Sequence, residues 1–192
     1  KGLSYDRNSI IDINKSNNLY LLVGSTCPWC HRLTISYTLL NLSKKIKIIF
    51  LKPNYKTGEW NFKKDFYNCK NLKEVYAKCK QNKIFRPTVP VFIDYEAQEM
   101  KLISNESRDI LKILNSSTFN SYSENAPIKI CDENLLDLIH KDINNGVYKC
   151  GFARNQNAYI NASQKLFSAL IIIEKMLKEN GGPWLLGNEI SI

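Results

Sequence analysis

The sequence predicts an α/β domain followed by an all-helical one, and three observations carry that prediction. Short apolar runs bounded by Gly, Ser and Pro alternate with segments of helical spacing as far as Leu114. A Ser/Asn-rich stretch then breaks the pattern. Beyond it, apolar residues recur only at helical intervals.

Taken in order, residues 19–25 are an apolar run closed by Gly24 and Ser25, a buried strand. Pro28 stands where a helix starts without needing an N–H, and Leu33, Tyr37 and Leu40 continue at helical spacing to about Leu42. Residues 45–51 alternate and then turn fully apolar, a second strand. Residues 61–80 read as a helix with Phe62, Phe66, Leu72, Val75 and Tyr76 as its apolar positions. Residues 88–93 and 99–103 are strands, and 106–114 is a helix with Ile110, Ile113 and Leu114 on one side. This βαβαββα order is the thioredoxin-like topology. The expected organisation is an N-terminal extension (1–18), a thioredoxin-like domain (19–114), a linker (115–129) containing Pro127, and a helical domain (130–192). In the last, Leu135, Leu136, Leu138 and Ile139 mark one helix, and Leu166, Leu170, Ile173 and Leu177 another.

A hydrophobic content of 44% with 23% charged residues is globular rather than disordered. The 27 Lys and Arg against 18 Asp and Glu give +9, but the basic residues are scattered among Asn and Ile. That fits a solvated surface, so no nucleic-acid partner is expected, although a basic rim would attract a small anion. No apolar run approaches the roughly 20 residues that cross a membrane, and no membrane partner is expected. Residues 1–6 carry no apolar core of a secretory leader, so the expected location is cytoplasmic. Residue 1 is Lys rather than Met, and a start further upstream is expected. Of the six cysteines, only Cys27 and Cys30 are close enough to form a signature, and the other four are expected as free thiols.

Strand, then Cys27-Pro28-Trp29-Cys30, then helix is the strongest chemical signal in the chain. A helix start leaves backbone N–H groups unpaired, and with the positive end of the helix dipole they stabilise a thiolate at the N-cap. A thiol of pKa about 8.5 is only about 3% thiolate at pH 7, whereas a pKa near 6 gives about 90%. Cys27 is therefore the expected nucleophile, and Cys30, one turn inside, packs as a small apolar group. The same letters with His31 spell a c-type haem attachment motif, but haem is not expected without an export signal and with His31 inside the helix. Zinc is not expected either, because Cys69 and Cys79 are too far apart in sequence to make a second ligand pair.

Two further stretches bear on binding. Thr88-Val89-Pro90 follows the second helix; in thioredoxin-like folds a proline at this place is cis and faces the reactive cysteine, which would present the Val89 backbone to an extended peptide such as glutathione. Asn105-Glu106-Ser107 opens the last helix of the first domain, where a hydroxyl and N–H groups make a carboxylate site and the acid beside them pairs an ammonium. A plain helix cap is the competing reading of this triplet.

With these residues in place, the chain resembles the glutathionyl-hydroquinone reductases, an omega-like branch of the glutathione S-transferase superfamily. The matching stretches are Cys-Pro-Trp-Cys-His-Arg (27–32), Gly-Glu-Trp (58–60), Thr-Val-Pro-Val (88–91), Ser-Asn-Glu-Ser-x-Asp-Ile (104–110) and Asn-Asn-Gly-Val-Tyr-Lys-x-Gly-Phe-Ala (144–153). The resemblance implies glutathione as co-substrate, with no metal and no haem. It implies that Cys27 attacks the sulfur of a glutathionyl-hydroquinone, and that a second glutathione then frees Cys27 from the mixed disulfide. It implies further that Trp60, Val89, Pro90, Glu106 and Ser107 hold glutathione, that Tyr148 faces a quinone-derived substrate, and that the full-length protein is a homodimer. An interdomain packing role is the alternative for Tyr148. Two departures stand out. Family members usually have Ala at the position of Cys30, so a dithiol, glutaredoxin-like route stays open beside the expected monothiol one, in which Cys27 is essential and Cys30 dispensable. The chain ends at Ile192, where the family continues into further helices, so an incomplete helical domain is expected. An omega-type thioltransferase or dehydroascorbate reductase with the same nucleophile, and a non-catalytic transferase-like interaction module, remain as alternatives.

Overall fold

The computed structural model describes residues 16–80, 87–116, 119 and 131–191. Most of the expected extension and of the expected linker lies outside the described residues. The chain divides into two compact units, Lys1–Pro127 and Ile128–Ile192.

The first unit is built on a six-stranded sheet of order β4-β3-β2-β1-β5-β6. At its centre β1 (Leu19–Gly24) is buried at all six positions, as an apolar run without alternation requires. It runs parallel to β2 (Ile46–Asn54), from Leu19 opposite Ile46 to Gly24 opposite Leu51, and antiparallel to β5 (Val91–Glu96). The parallel pairing needs a crossover, which α1 (Pro28–Leu39) and a short 3-10 turn supply. β5 and β6 (Glu99–Ser104) form a hairpin whose turn residues Ala97 and Gln98 take φ of 50° and 67°. α3 (Ser107–Leu114) packs beside α1, with Leu33, Ile110 and Leu114 buried. A polar clasp holds the chain entering β1: Ser16 Oγ donates to the buried Asp94 at 2.5 Å, and Lys45 Nζ donates to the Ser16 carbonyl at 2.5 Å.

The expected helix over 61–80 is corrected in its first half. Residues 59–71 form β3 (Glu59–Phe66) and β4 (Cys69–Asn71), and only α2 (Leu72–Lys78) is helical. Phe62 and Phe66 are four apart, an even number, which places them on one side of a strand as readily as on one side of a helix. They stack at 5.2 Å between ring centroids, and Phe66 also meets Tyr20 of β1 edge-on at 5.0 Å. The β3–β4 turn uses Tyr67 and Asn68 at φ of 48° and 59°. α2 begins at a capped turn: Asn71 accepts from the Glu74 N–H at 3.1 Å, and Glu74 accepts from the N–H of Lys70, one residue before the cap, at 2.7 Å.

In the second unit α4 (Glu133–Leu138) is capped by Asp132, whose carboxylate accepts from the Asn134 and Leu135 N–H groups. It runs through a π-helical turn (Ile139–Asn144) into α5 (Asn145–Gly151). α6 (Gln156–Glu179) is capped by Asn155 and packs against α5. Gly146 makes that approach close, since a Cβ there would stand 3.4 Å from Leu166. The stripe at 166, 170, 173 and 177 is only partly covered. Leu166 and Ile173 are half-buried, Leu170 and Leu177 are exposed, and Ala169 is the buried residue. No helix among the described residues is long and apolar enough to cross a membrane.

Leu33 is fully buried on the α1 face that meets the core. Leu33→Ala should cost about 2–5 kcal/mol of stability by denaturant unfolding, as for a core leucine that leaves a cavity. A midpoint unchanged from the parent would show that α1 is not anchored through this side chain.

Candidate active site

β1 stops at Gly24, and the chain turns through Ser25 and Thr26 into Cys27, the N-cap of α1, with φ −95° and ψ 118°. The Cys27 N–H donates to the Gly24 carbonyl at 3.2 Å, and the Cys27 carbonyl accepts from the N–H groups of Cys30 and His31 at 3.0 and 3.1 Å. These bonds set the first turn of the helix and put the Cys27 side chain at its mouth, half-exposed. The Cys27 sulfur lies 3.8 Å from the Val89 carbonyl oxygen, and the Val89–Pro90 peptide is cis. Cys30, one turn inside, is buried, and its sulfur accepts the Gly24 N–H at 3.2 Å.

Cys27 is lowered to a pKa of about 6. The largest cause is a hydrogen bond from the Cys30 thiol; burial opposes it, and the backbone N–H groups of Cys30 and Trp29 add smaller contributions. The Cys27 side chain makes no full capping hydrogen bond to the helix. The sequence reading gave the leading part to the helix N–H groups, whereas the leading part belongs to the neighbouring thiol. Cys30 moves the other way. Its bond to Cys27 and its burial hold the proton on, against the Gly24 N–H.

Trp60, on β3, reaches across to the end of β1. A Cβ on Gly24 would stand 2.4 Å from the Trp60 ring and 2.9 Å from Val89 Cγ2, so the absent side chain is what lets these groups meet. Cys27, Trp60 and Val89 therefore gather around one glycine, and Pro90 follows Val89 through the cis peptide. Glu106 is the N-cap of α3, but its carboxylate makes no capping hydrogen bond. Ser107 is buried, and its Oγ and Asn105 Oδ1 have no hydrogen-bond partner among the described residues. The two groups of residues are linked: Asn105 Nδ2 donates to the Tyr76 hydroxyl at 3.1 Å, which donates to the Thr88 carbonyl at 3.0 Å, next to Val89. On α1, burial holds the Arg32 guanidinium below its ordinary pKa, with Glu106 acting to raise it and Arg108 to lower it. Tyr148 lies on α5 of the second unit, at the border of exposure, stacked on Phe152 with centroids 6.3 Å apart.

An open cleft of about 320 Å³ runs past the nucleophile, with Ser25, Thr26, Cys27, His31, Thr34 and Phe50 in its lining. Sequence reasoning passed over Gly24, Tyr76 and Arg32. Arg32 stood in plain view behind the two cysteines, Gly24 was read only as a strand terminator, and Tyr76 was assigned to a helix core. No group of three or more His, Cys, Asp or Glu side chains placed to hold a metal ion is found among the described residues.

The family described as "Glutathione S-transferase, N-terminal domain" matches residues 26–117. Glutathione S-transferase omega-like 2 of Schizosaccharomyces pombe is 30% identical over 194 residues, covering 92% of this chain and 61% of that protein. Glutathionyl-hydroquinone reductase YqjG of Escherichia coli is 28% identical over 193 residues, covering 93% of this chain and 57% of that protein. Among solved structures, the glutathione S-transferase Xi of Phanerochaete chrysosporium superposes with a TM-score of 0.82 at 29% identity, over 93% of this chain and 64% of that one. The glutathione-bound structure of Escherichia coli YqjG does so with a TM-score of 0.77 at 29% identity, over 90% and 59%. The chain spans about three fifths of the length of the curated relatives it matches. With the sheet and helices above, these likenesses establish a thioredoxin-like first unit and a helical second one, in the manner of the glutathione transferases.

The low pKa of Cys27 has a direct readout. A group lowered to about 6 is mostly ionised above pH 6, so the alkylation rate should rise through that pH and level off by neutrality. Cys30→Ala removes the largest cause of the shift and should move the midpoint upward, toward the ordinary thiol range. A midpoint unmoved by Cys30→Ala would mean that the helix, not the neighbouring thiol, sets the charge on Cys27.

Proposed function

We propose that this relative of the glutathionyl-hydroquinone reductases and omega-like glutathione S-transferases is a glutathione-dependent oxidoreductase that uses Cys27 to take glutathione from glutathionyl-hydroquinones. The observation that carries the reading is Cys27 itself: a half-exposed N-cap thiol, lowered to about 6, beside the Val89 carbonyl. The names of the relatives point to the same chemistry, and the glutathione-bound state of YqjG points to the ligand.

In the first step the Cys27 thiolate attacks the glutathionyl sulfur. The new bond joins Cys27 Sγ to that sulfur and the sulfur–ring bond breaks. Its electron pair stays with the ring carbon, which takes up a proton to give the hydroquinone. In the second step another glutathione thiolate attacks the glutathionyl sulfur of the mixed disulfide, giving oxidised glutathione and the Cys27 thiolate. In this reading Trp60, Val89 and Pro90 border the cysteinyl part of glutathione. Its γ-glutamyl carboxylate meets Ser107 Oγ and the N-terminal N–H groups of α3, and its ammonium meets Glu106 and Asn105 Oδ1. The buried, unpartnered oxygens of Ser107 and Asn105 support this assignment, because a buried polar atom left unsatisfied is costly unless a ligand completes it. Tyr148 is assigned to the hydroquinone hydroxyl. The thioredoxin-like domain is assigned to 19–114 and the helical domain to 130–192. An omega-type thioltransferase activity is the second reading, favoured by the second thiol at Cys30.

Incubation with a glutathionyl-hydroquinone should place one glutathione on Cys27 by mass spectrometry and release hydroquinone, and Cys27→Ser should abolish both. Hydroquinone release undiminished in Cys27→Ser would overturn the reading. Ser107→Ala and Glu106→Ala should each weaken glutathione binding by about 1–3 kcal/mol, the range for a lost charge-assisted hydrogen bond. Calorimetry showing unchanged affinity in both variants would remove the α3 site from the account.

A further inference from the structure

We propose that Cys30 is a resolving thiol: once Cys27 carries glutathione, Cys30 attacks Cys27 Sγ, expels the glutathione and closes a Cys27–Cys30 disulfide. The proposal rests on the reading of Cys27 as the residue that receives glutathione, and it adds a second way off for that glutathione.

Position comes first. Cys30 stands one helical turn from Cys27, with its thiol hydrogen-bonded to the Cys27 sulfur, so the two sulfurs are already neighbours. The second observation is the Gly24 N–H, which donates to Cys30 Sγ at 3.2 Å from the last residue of β1. A cysteine that served only as apolar filling would have no use for a donor aimed at its sulfur.

The same contacts make the attack conditional. While Cys27 is a thiolate, its bond to Cys30 is the main reason that Cys30 keeps its proton. A disulfide sulfur carries no negative charge and is a weak acceptor. Capping Cys27 with glutathione therefore removes the largest of the causes that hold the proton on Cys30, and leaves burial set against the Gly24 N–H, which favours the thiolate. Cys30 therefore gives up its proton more readily in the state that offers something to resolve than in the state where Cys27 is free. Its burial slows the step, so abundant glutathione competes for the mixed disulfide, and the internal disulfide accumulates when glutathione is scarce.

Atoms and electrons balance. The Cys30 electron pair forms the new sulfur–sulfur bond and the Cys27–glutathione bond breaks. Glutathione leaves as a thiolate and takes up the proton Cys30 gave to solvent, and the disulfide oxidation level is carried over unchanged. Two further glutathiones reopen the link: one attacks Cys27 Sγ, and the other releases it as oxidised glutathione. In the closed form Cys27 is shielded from the irreversible sulfinic and sulfonic steps of thiol oxidation.

The test loads the intact protein with glutathione from oxidised glutathione at neutral pH, removes the excess, and follows the intact mass with time under non-reducing conditions. Cys30→Ser and Cys30→Ala are run beside the parent. The parent should lose its glutathione and finish two hydrogens lighter than the reduced protein, with peptide mapping joining Cys27 to Cys30. Both variants should hold the adduct roughly tenfold longer or more. The parent's mass and peptide map decide the proposal even if a variant folds poorly. A parent adduct that persists without forming the link would overturn the resolving role while leaving glutathione capture by Cys27 intact. No adduct in any of the three proteins would overturn glutathione capture and this proposal together.

Discussion

The site depends on a missing side chain. Gly24 ends the central strand, and its four neighbours all need the space or the polar groups it offers. The Trp60 ring and Val89 occupy the volume where a Cβ would stand, at 2.4 and 2.9 Å. The Gly24 carbonyl accepts the Cys27 N–H and so turns the chain into α1, and its N–H holds the sulfur of Cys30. Any larger residue would push the β3 and cis-proline segments off the strand end while leaving the helix start in place. The glycine is thus a constraint of close approach, not of backbone conformation, since its φ lies outside the left-handed range.

A second constraint ties the opening of α3 to the segment before the cis proline. Tyr76, nearly buried on α2, donates to the Thr88 carbonyl and accepts from Asn105. One hydroxyl therefore fixes the separation between the Val89 backbone and the start of α3. In the proposed reading that separation spans an extended tripeptide, and α2 holds it without touching the ligand. Asn105 spends its amide nitrogen on Tyr76, and its buried carbonyl oxygen has no hydrogen-bond partner among the described residues. A binding role fits this better than a capping role, because Glu106, which occupies the cap position, does not use its side chain to cap.

Much of this was legible in the sequence. The apolar run of β1, Pro28 at the helix start and the hydroxyl at 107 are each local signals with one dominant structural reading, and each lies where it was expected. The β3–β4 hairpin was not legible, for two physical reasons. The four-residue spacing of Phe62 and Phe66 satisfies both helix and strand periodicity. The turn between the strands places Tyr67 in the left-handed region, where a Gly or Asn would have announced it. The rings of Tyr20, Phe66 and Tyr95 hold Tyr67 there by tertiary contact, and a local pattern cannot show that. Asn71, with Glu74 three residues on, did mark the true helix start within the segment read as continuous helix. The main cause of the low pKa at Cys27 was equally out of reach, because it depends on which way the Cys30 thiol points.

The magnitude of that shift says which half of the chemistry it serves. Lowering a thiol from about 8.5 to about 6 raises its thiolate fraction at pH 7 about thirtyfold, from about 3% to about 90%. The same change lowers the intrinsic nucleophilicity of the thiolate by a factor of about ten, with a Brønsted slope near 0.4–0.5. Attack by Cys27 therefore gains only a few-fold from the shift. In the proposed cycle the larger gain falls on the second step, in which Cys27 is the leaving group and a low pKa speeds its departure. There the Cys30 thiol is a donor placed where negative charge develops, which is the arrangement that stabilises a transition state over its ground state. In the proposed cycle Cys30 thus has two opposed ways to act on the mixed disulfide. With its proton it eases the release of Cys27 to an external glutathione, and without it Cys30 attacks Cys27 directly. The Gly24 N–H favours the second course, and burial of the Cys30 sulfur favours the first. In the proposed cycle the balance between these two contacts sets which course the mixed disulfide takes.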